Sequence, residues 1–251
     1  MEKTFLESDK SILTVMIQAR NPERIKELVD KSLPEGAEAI GIQFEKLNEE
    51  YRTSESYKAI INYAKNKPVY ATYYRNRSGV ETRTDEQLGE ELLKIADCGA
   101  TLCDVMGDLY DKQPDEVAVS EEAIRKQKQL IDEIHKKGAE VLMSSHTFVF
   151  TSAERVLEIA LEHEKRGADI SKIVTGADTE EQELENIKII NLLKKNLKIP
   201  FLFICVGESR ILRKIGGELG NCMTLCVYEH DELSTQEQPL LKNAIAIRNN
   251  M

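Results

Sequence analysis

The 251-residue sequence predicts an α/β protein of the (β/α)₈, or TIM, barrel class. Two observations carry this. Short apolar, β-branched runs alternate with longer amphipathic stretches eight times, and a repeat of roughly 30 residues at this chain length is what such a barrel requires.

Strand-like runs occupy residues 12–17, 39–44, 69–74, 101–105, 140–144, 170–175, 201–206 and 223–228. Between them lie charged stretches of helical period, 22–31, 54–65, 85–96, 120–137, 152–166 and 180–197. Ser120 before Glu121 and Glu122, and Thr151 or Ser152 before Glu154, read as helix N-caps. Gly99, Gly138 and Gly167 each close a helix just before a strand. A doubly wound open sheet is the competing architecture. However, Gln18, Ala19 and Arg20 follow the first run, where a dinucleotide-binding turn would carry G-x-G-x-x-G. No Pro/Gly/Ser-rich linker divides the chain, so residues 1–251 read as one barrel domain.

A formal charge of −10 and the absence of a basic, aromatic-interleaved run argue against nucleic acid as a partner. The opening MEKTFLESDK has no apolar leader core, and no run reaches the roughly 18 apolar residues of a membrane span. Cytoplasmic residence, with no membrane contact, is the expectation. Cys98, Cys103, Cys205, Cys222 and Cys226 are odd in number and mostly sit in or beside strand-like runs, as reduced core residues do. The Cys222/Cys226 spacing lacks a second Cys or His pair, so no metal site is expected.

In a (β/α)₈ barrel, chemistry sits at the C-terminal ends of the strands. In the sixth run, period-2 alternation places Lys172 on the face shared by Ile170 and Val174, toward the interior. Desolvation disfavours the ammonium form and frees the amine to attack carbonyls. The plain alternative is a lysine that extends to solvent or pairs with a carboxylate. His146 lies just beyond the fifth run, at the same rim, and could carry protons for such a nucleophile. His135, His163 and His230 lie among charged residues and read as solvated. Arg210, beyond the seventh run, could fork onto a carboxylate. Asp104, ending the fourth, could orient the lysine, hydrogen-bond substrate, or merely cap a loop.

Four segments together resemble the type I 3-dehydroquinate dehydratase family. Ser144-Ser145-His146-Thr147-Phe148 is similar to its S-x-H-D-F, and Ala168-Asp169-Ile170-Ser171-Lys172-Ile173 to its A-D-I-x-K-I. Gly207-Glu208-Ser209-Arg210-Ile211 resembles its G-x-x-S-R-I. Ser234-Thr235-Gln236-Glu237-Gln238 resembles its S-A-P-G-Q loop. The resemblance implies that Lys172 forms an imine, His146 moves protons, Arg210 binds a substrate carboxylate, and Ser234 and Gln238 touch substrate from a closing loop. It implies conversion of 3-dehydroquinate to 3-dehydroshikimate, the shikimate-pathway step toward aromatic amino acids, without a metal or organic cofactor. A homodimer is the default assembly for such barrels.

The family's second strand reads E-L-R-x-D, where this chain has Gly41-Ile42-Gln43-Phe44-Glu45. Its third ends T-F-R-T before a glutamate that holds the histidine. Here Tyr74 replaces the arginine and Ser78 the glutamate, with Arg75 or Glu81 as candidate compensators. Met106 and Thr147 replace two more acids. Three readings follow: a 3-dehydroquinate dehydratase with a remodelled pocket, an imine-forming lyase or aldolase-like enzyme on another carboxylate-bearing ketone, or a catalytically silent barrel that binds a metabolite or partner.

Overall fold

The computed structural model describes residues 4–8, 10–76, 79–208 and 211–251. Eight parallel strands and eight helices alternate: β1 (Ile12–Ile17), α1 (Pro22–Glu35), β2 (Ala39–Gln43), α2 (Ser54–Tyr63), β3 (Val69–Thr72), α3 (Asp85–Asp97), β4 (Leu102–Met106), α4 (Glu121–Lys136), β5 (Glu140–His146), α5 (Ala153–Arg166), β6 (Ile170–Gly176), α6 (Glu180–Asn196), β7 (Phe201–Val206), α7 (Ile211–Leu219), β8 (Met223–Cys226) and α8 (Leu241–Asn250). The strands pair in the order β7-β6-β5-β4-β3-β2-β1-β8, which wraps the sheet into a nearly closed barrel and excludes the open doubly wound alternative. At the seam, Cys222 N donates to Phe201 O. The Asn221 side chain continues the ladder, accepting from Phe203 N at 2.8 Å and donating to Phe203 O at 2.9 Å.

The strand periodicity sorts side chains into two layers. Ile170, Val174, Leu142, Leu102, Tyr70, Met16 and Leu202 fill the barrel interior, with Phe5 in the same cluster. Ile173, Phe203, Ile159 and Ile189 pack between sheet and helices. Lys172 therefore does face the interior, at 5% exposure. Helix ends follow their sequence signals with one exception. Ser152 accepts from Arg155 N and Gly167 closes α5 at φ +98°, while Gly99 and Gly138 also take positive φ. Ser120 occupies the N-cap of α4 without a side-chain cap bond. Asp111 takes the backbone N–H groups of Val119 and Ser120 instead.

Two strand boundaries matter for the site. β3 ends at Thr72, two residues short of the expected run, leaving Tyr73 to Arg75 as irregular chain. β5 extends two residues further, to His146, so the histidine is held by the ladder rather than by a loop. All five cysteines are free thiols and four are buried. Among the described residues no helix is long and apolar enough to cross a membrane.

Candidate active site

The C-terminal mouth of the barrel opens into a cavity of about 890 Å³ whose lining includes Lys172, His146, Tyr74, Gln43, Arg213 and Gln238. A pocket at this face is where barrel enzymes assemble their chemistry.

Lys172 is placed by β6, opposite Ser144 of β5. Its surroundings are more polar than strand alternation implied. Nζ donates to Tyr74 Oη at 2.7 Å and Tyr70 Oη at 3.0 Å, and lies 3.2 Å from Asp104 Oδ2. Both phenols also donate to Asp104 Oδ2, and Ser144 Oγ donates to Oδ1 at 2.5 Å. Asp104, 1% exposed, thus lies beneath the lysine rather than on the cavity wall, and of its candidate roles the geometry supports orientation of the amine. Burial and the Asp104 carboxylate push the Tyr70 phenol well above its ordinary range, so it stays a neutral donor.

His146 is fixed by a residue that sequence reasoning did not single out. Glu116 Oε2 lies 2.7 Å from His146 Nδ1 and also accepts from the His146 backbone N at 2.9 Å. With Nδ1 as the donor, the neutral ring keeps its basic lone pair on Nε2. The ring is sandwiched by Phe148, stacked at 5.6 Å between centroids, and Tyr74, edge-on at 5.5 Å. Neither candidate compensator serves the histidine in the bonds made by its carboxylate or guanidinium. Arg75 is forked onto Asp85 and bonded to Asp108, and Glu81 is taken by Arg83, which holds its carboxyl down at about 2.

The loop carrying Glu116 is tied down by buried groups beneath it. Arg166, at the end of α5, donates to the carbonyls of Gly107 and Ala118 and to Gln127 Oε1. Ser145 Oγ donates to Glu116 O at 2.7 Å and lies 3.0 Å from His163 Nε2, while His163 Nδ1 lies 3.0 Å from Ser171 Oγ. A neutral His163 protonated on Nε2 satisfies all three contacts. This corrects the reading of His163 as solvated. It is fully buried, and desolvation together with Arg166 pushes its pKa down to about 3. Gly107 is required by the same packing, since a Cβ there would meet Glu116 O at 2.4 Å.

The remaining site candidates divide. Gln238 lines the cavity, 5% exposed, with a buried Oε1 that has no hydrogen-bond partner among the described residues. Ser234 is turned away. Its hydroxyl and backbone close a turn on Asp231, while Thr235 lines the cavity and locks to Gln18 through two hydrogen bonds. Arg210, like Ser78, lies outside the described residues. His135 pairs with Asp169 and His230 Nε2 donates to Gln238 O, and neither histidine lines the cavity. No cluster of three or more His, Cys, Asp or Glu suited to a metal occurs among the described residues.

The family model described as type I 3-dehydroquinase matches residues 13–244. The chain belongs to that family. A 3-dehydroquinate dehydratase from Alkaliphilus oremlandii is 34% identical over 92 residues, a segment that is 36% of this chain and 36% of that relative. Among solved structures, type I 3-dehydroquinate dehydratase from Clostridium difficile with covalently modified comenic acid superposes with a TM-score of 0.81 at 17% identity, covering 98% of this chain and 94% of that one. The Geobacillus kaustophilus 3-dehydroquinate dehydratase gives 0.83 at 14% identity, with 99% and 95% coverage. At such identities the superpositions speak to the fold.

Within the type I 3-dehydroquinase pattern, the departures on β2 and β3 have a physical reading here. A Cβ added at Gly41 would meet Met16 Sδ at 2.2 Å and Tyr70 Cδ1 at 3.3 Å, so the space an acidic side chain would need is occupied by Met16 and Tyr70. Tyr74, in place of the arginine, spends its hydroxyl on Lys172 and Asp104.

Proposed function

We propose that this type I 3-dehydroquinase is a dehydratase that works through an imine on Lys172, with 3-dehydroquinate as substrate. The observation that carries the reading is the pairing, in one cavity, of a buried lysine amine with a histidine whose ring is oriented by a carboxylate. The lysine supplies a nucleophile and the histidine a base held in one tautomer, which is the minimum set for dehydration next to a ketone.

Attack of the Lys172 amine on the C3 ketone and loss of water give an iminium, which acidifies the C2 proton. His146 Nε2 removes that proton, with Glu116 stabilising the imidazolium that forms, and the electron pair passes into an enamine. Collapse of the enamine expels the C1 hydroxyl, which takes its proton from His146, and hydrolysis of the conjugated imine releases 3-dehydroshikimate and the amine. His146 begins and ends neutral. The unsatisfied Gln238 Oε1 supports a role for it as acceptor to a substrate hydroxyl, since a buried acceptor without a partner costs stability until a ligand fills it.

Ser234 contributes through the fold of its loop, and Arg210 is proposed as the carboxylate partner. No step draws on a metal or organic cofactor. We place the protein in the cytoplasm as a single-domain barrel that pairs as a homodimer. The test is borohydride reduction in the presence of 3-dehydroquinate, with the covalent mass gain mapped by peptide, alongside direct assay of 3-dehydroshikimate formation.

A further inference from the structure

Among the described residues, Tyr74, Tyr70 and Asp104 contact the Lys172 amine, and they are not equivalent. Asp104 and Tyr70 are seated in the barrel interior below it, 1% and fully buried, and neither lines the cavity. Tyr74 does line the cavity, and its oxygen is the nearest of the three to Nζ, at 2.7 Å. It can be there because β3 ends at Thr72, so the chain at Tyr74 is released from the ladder and bends the ring over the lysine. Its hydroxyl is aligned from behind by Asp104, and its ring edge abuts the His146 ring.

A carbonyl carbon reaching Nζ must come from the cavity, and the carbinolamine oxygen then stays on the cavity side. Among the described residues, the Tyr74 phenol is a group on that side within hydrogen-bond reach of the nitrogen. We infer that Tyr74 is a catalytic residue of this chain, the proton relay for making and hydrolysing the Lys172 imine, while His146 serves the substrate carbons. This rests on the imine reading above and deepens it.

The step balances as follows. The neutral amine adds to the ketone, forming the N–C bond. Tyr74 accepts one N–H proton while giving its own to the alkoxide, leaving a neutral carbinolamine and an intact phenol. Tyr74 then protonates the departing hydroxyl, water leaves, the nitrogen lone pair forms the C=N bond of the iminium, and the phenolate regains its proton from solvent in the cavity, so the phenol is restored. In hydrolysis the same protons move in reverse. Asp104 is not placed for this part, because it lies below the amine and off the cavity, with its oxygens engaged by two phenols, Ser144 and Lys172.

The experiment uses His146→Ala as background, so that imine forms and hydrolyses without onward dehydration. Two rates are followed with 3-dehydroquinate: borohydride-trappable imine by rapid quench, and solvent ¹⁸O entry into the ketone of recovered substrate. Adding Tyr74→Phe is expected to lower both rates about 100-fold, the scale of a general acid–base group, while the final amount of trappable imine is unchanged, because a relay alters rate and not equilibrium. Adding Tyr70→Phe instead is expected to lose at least ten times less than Tyr74→Phe. Unchanged rates in the Tyr74→Phe protein overturn the inference. So does a parallel loss of rate and final imine, or an equal loss in Tyr70→Phe, either of which makes the phenol a structural clamp. If the parent His146→Ala protein traps no carbonyl at all, the imine reading itself falls, which is a different result.

Discussion

Glu116 Oε2 lies 2.7 Å from His146 Nδ1 and 2.9 Å from the His146 backbone nitrogen, so a single carboxylate oxygen fixes both the ring and the main chain of the histidine. The carboxylate comes from the loop between β4 and α4. In the family pattern the equivalent partner follows β3, where this chain carries Ser78. The carboxylate that meets the histidine here is therefore on the loop after β4, whereas the sequence resemblance pointed to the one after β3.

Replacing Glu116 by Gln leaves the shape of the pocket but removes the charge that stabilises an imidazolium. We expect kcat for dehydration to fall by about 10²-fold or more, with imine trapping on Lys172 retained. Steady-state rates beside borohydride trapping check this, and a Glu116→Gln enzyme of wild-type kcat contradicts it.

Gly107→Ala probes the same relationship from beneath. Its Cβ would press on Glu116 O at 2.4 Å and Ser145 Oγ at 2.8 Å, and both are held by further bonds. Displacement of the loop is expected to destabilise the fold by about 1–3 kcal/mol and to lower kcat. Urea unfolding and rate measurements report the two effects separately.

The Lys172–Asp104 pair is buried on both sides, with side chains 6% and 0% exposed. Asp104→Ala strands the lysine and leaves two phenols and Ser144 without their acceptor, so a loss of roughly 3–5 kcal/mol is expected. Asp104→Asn, which keeps an acceptor oxygen, should lose less. Chemical denaturation of both variants tests the order.

His163 sets an acid limit on stability. Its folded pKa, pushed down to about 3, lies below the ordinary 6.5. Above pH 6.5 both folded and unfolded states carry the neutral ring. Between 6.5 and 3 only the unfolded state takes the proton, so stability falls as pH falls, by about 1.4 kcal/mol per unit from this group. Below 3 its contribution is spent. Thermal unfolding from pH 7 to 4 should show a shallower slope for His163→Gln than for wild type.

The parts of the site that lie on strands were legible because period 2 fixes which way a strand residue points. Lys172 follows from Ile170 and Val174, and His146 from the end of the adjacent run. Glu116 was not, because it sits at φ +52° in the irregular segment after β4, a segment tied down by tertiary bonds from Ser145 to Glu116 O and from Arg166 to Ala118 O. His163 was misread for its charged neighbours Glu162, Glu164 and Lys165. The signal against that reading was present: Val156, Ile159, Ala160 and His163 fall at helical spacing on one buried face. Tyr74 was noted as a departure from the family pattern, but its contact with Lys172 depends on β3 ending early, which β-propensity does not encode.

The most direct test of the account is mass spectrometry after incubation with 3-dehydroquinate and sodium borohydride. The account predicts a covalent adduct confined to the peptide bearing Lys172, formation of 3-dehydroshikimate when borohydride is omitted, and loss of both in Lys172→Met. Turnover of 3-dehydroquinate by the Lys172→Met protein, or an adduct on any other lysine with Lys172 unmodified, would contradict it.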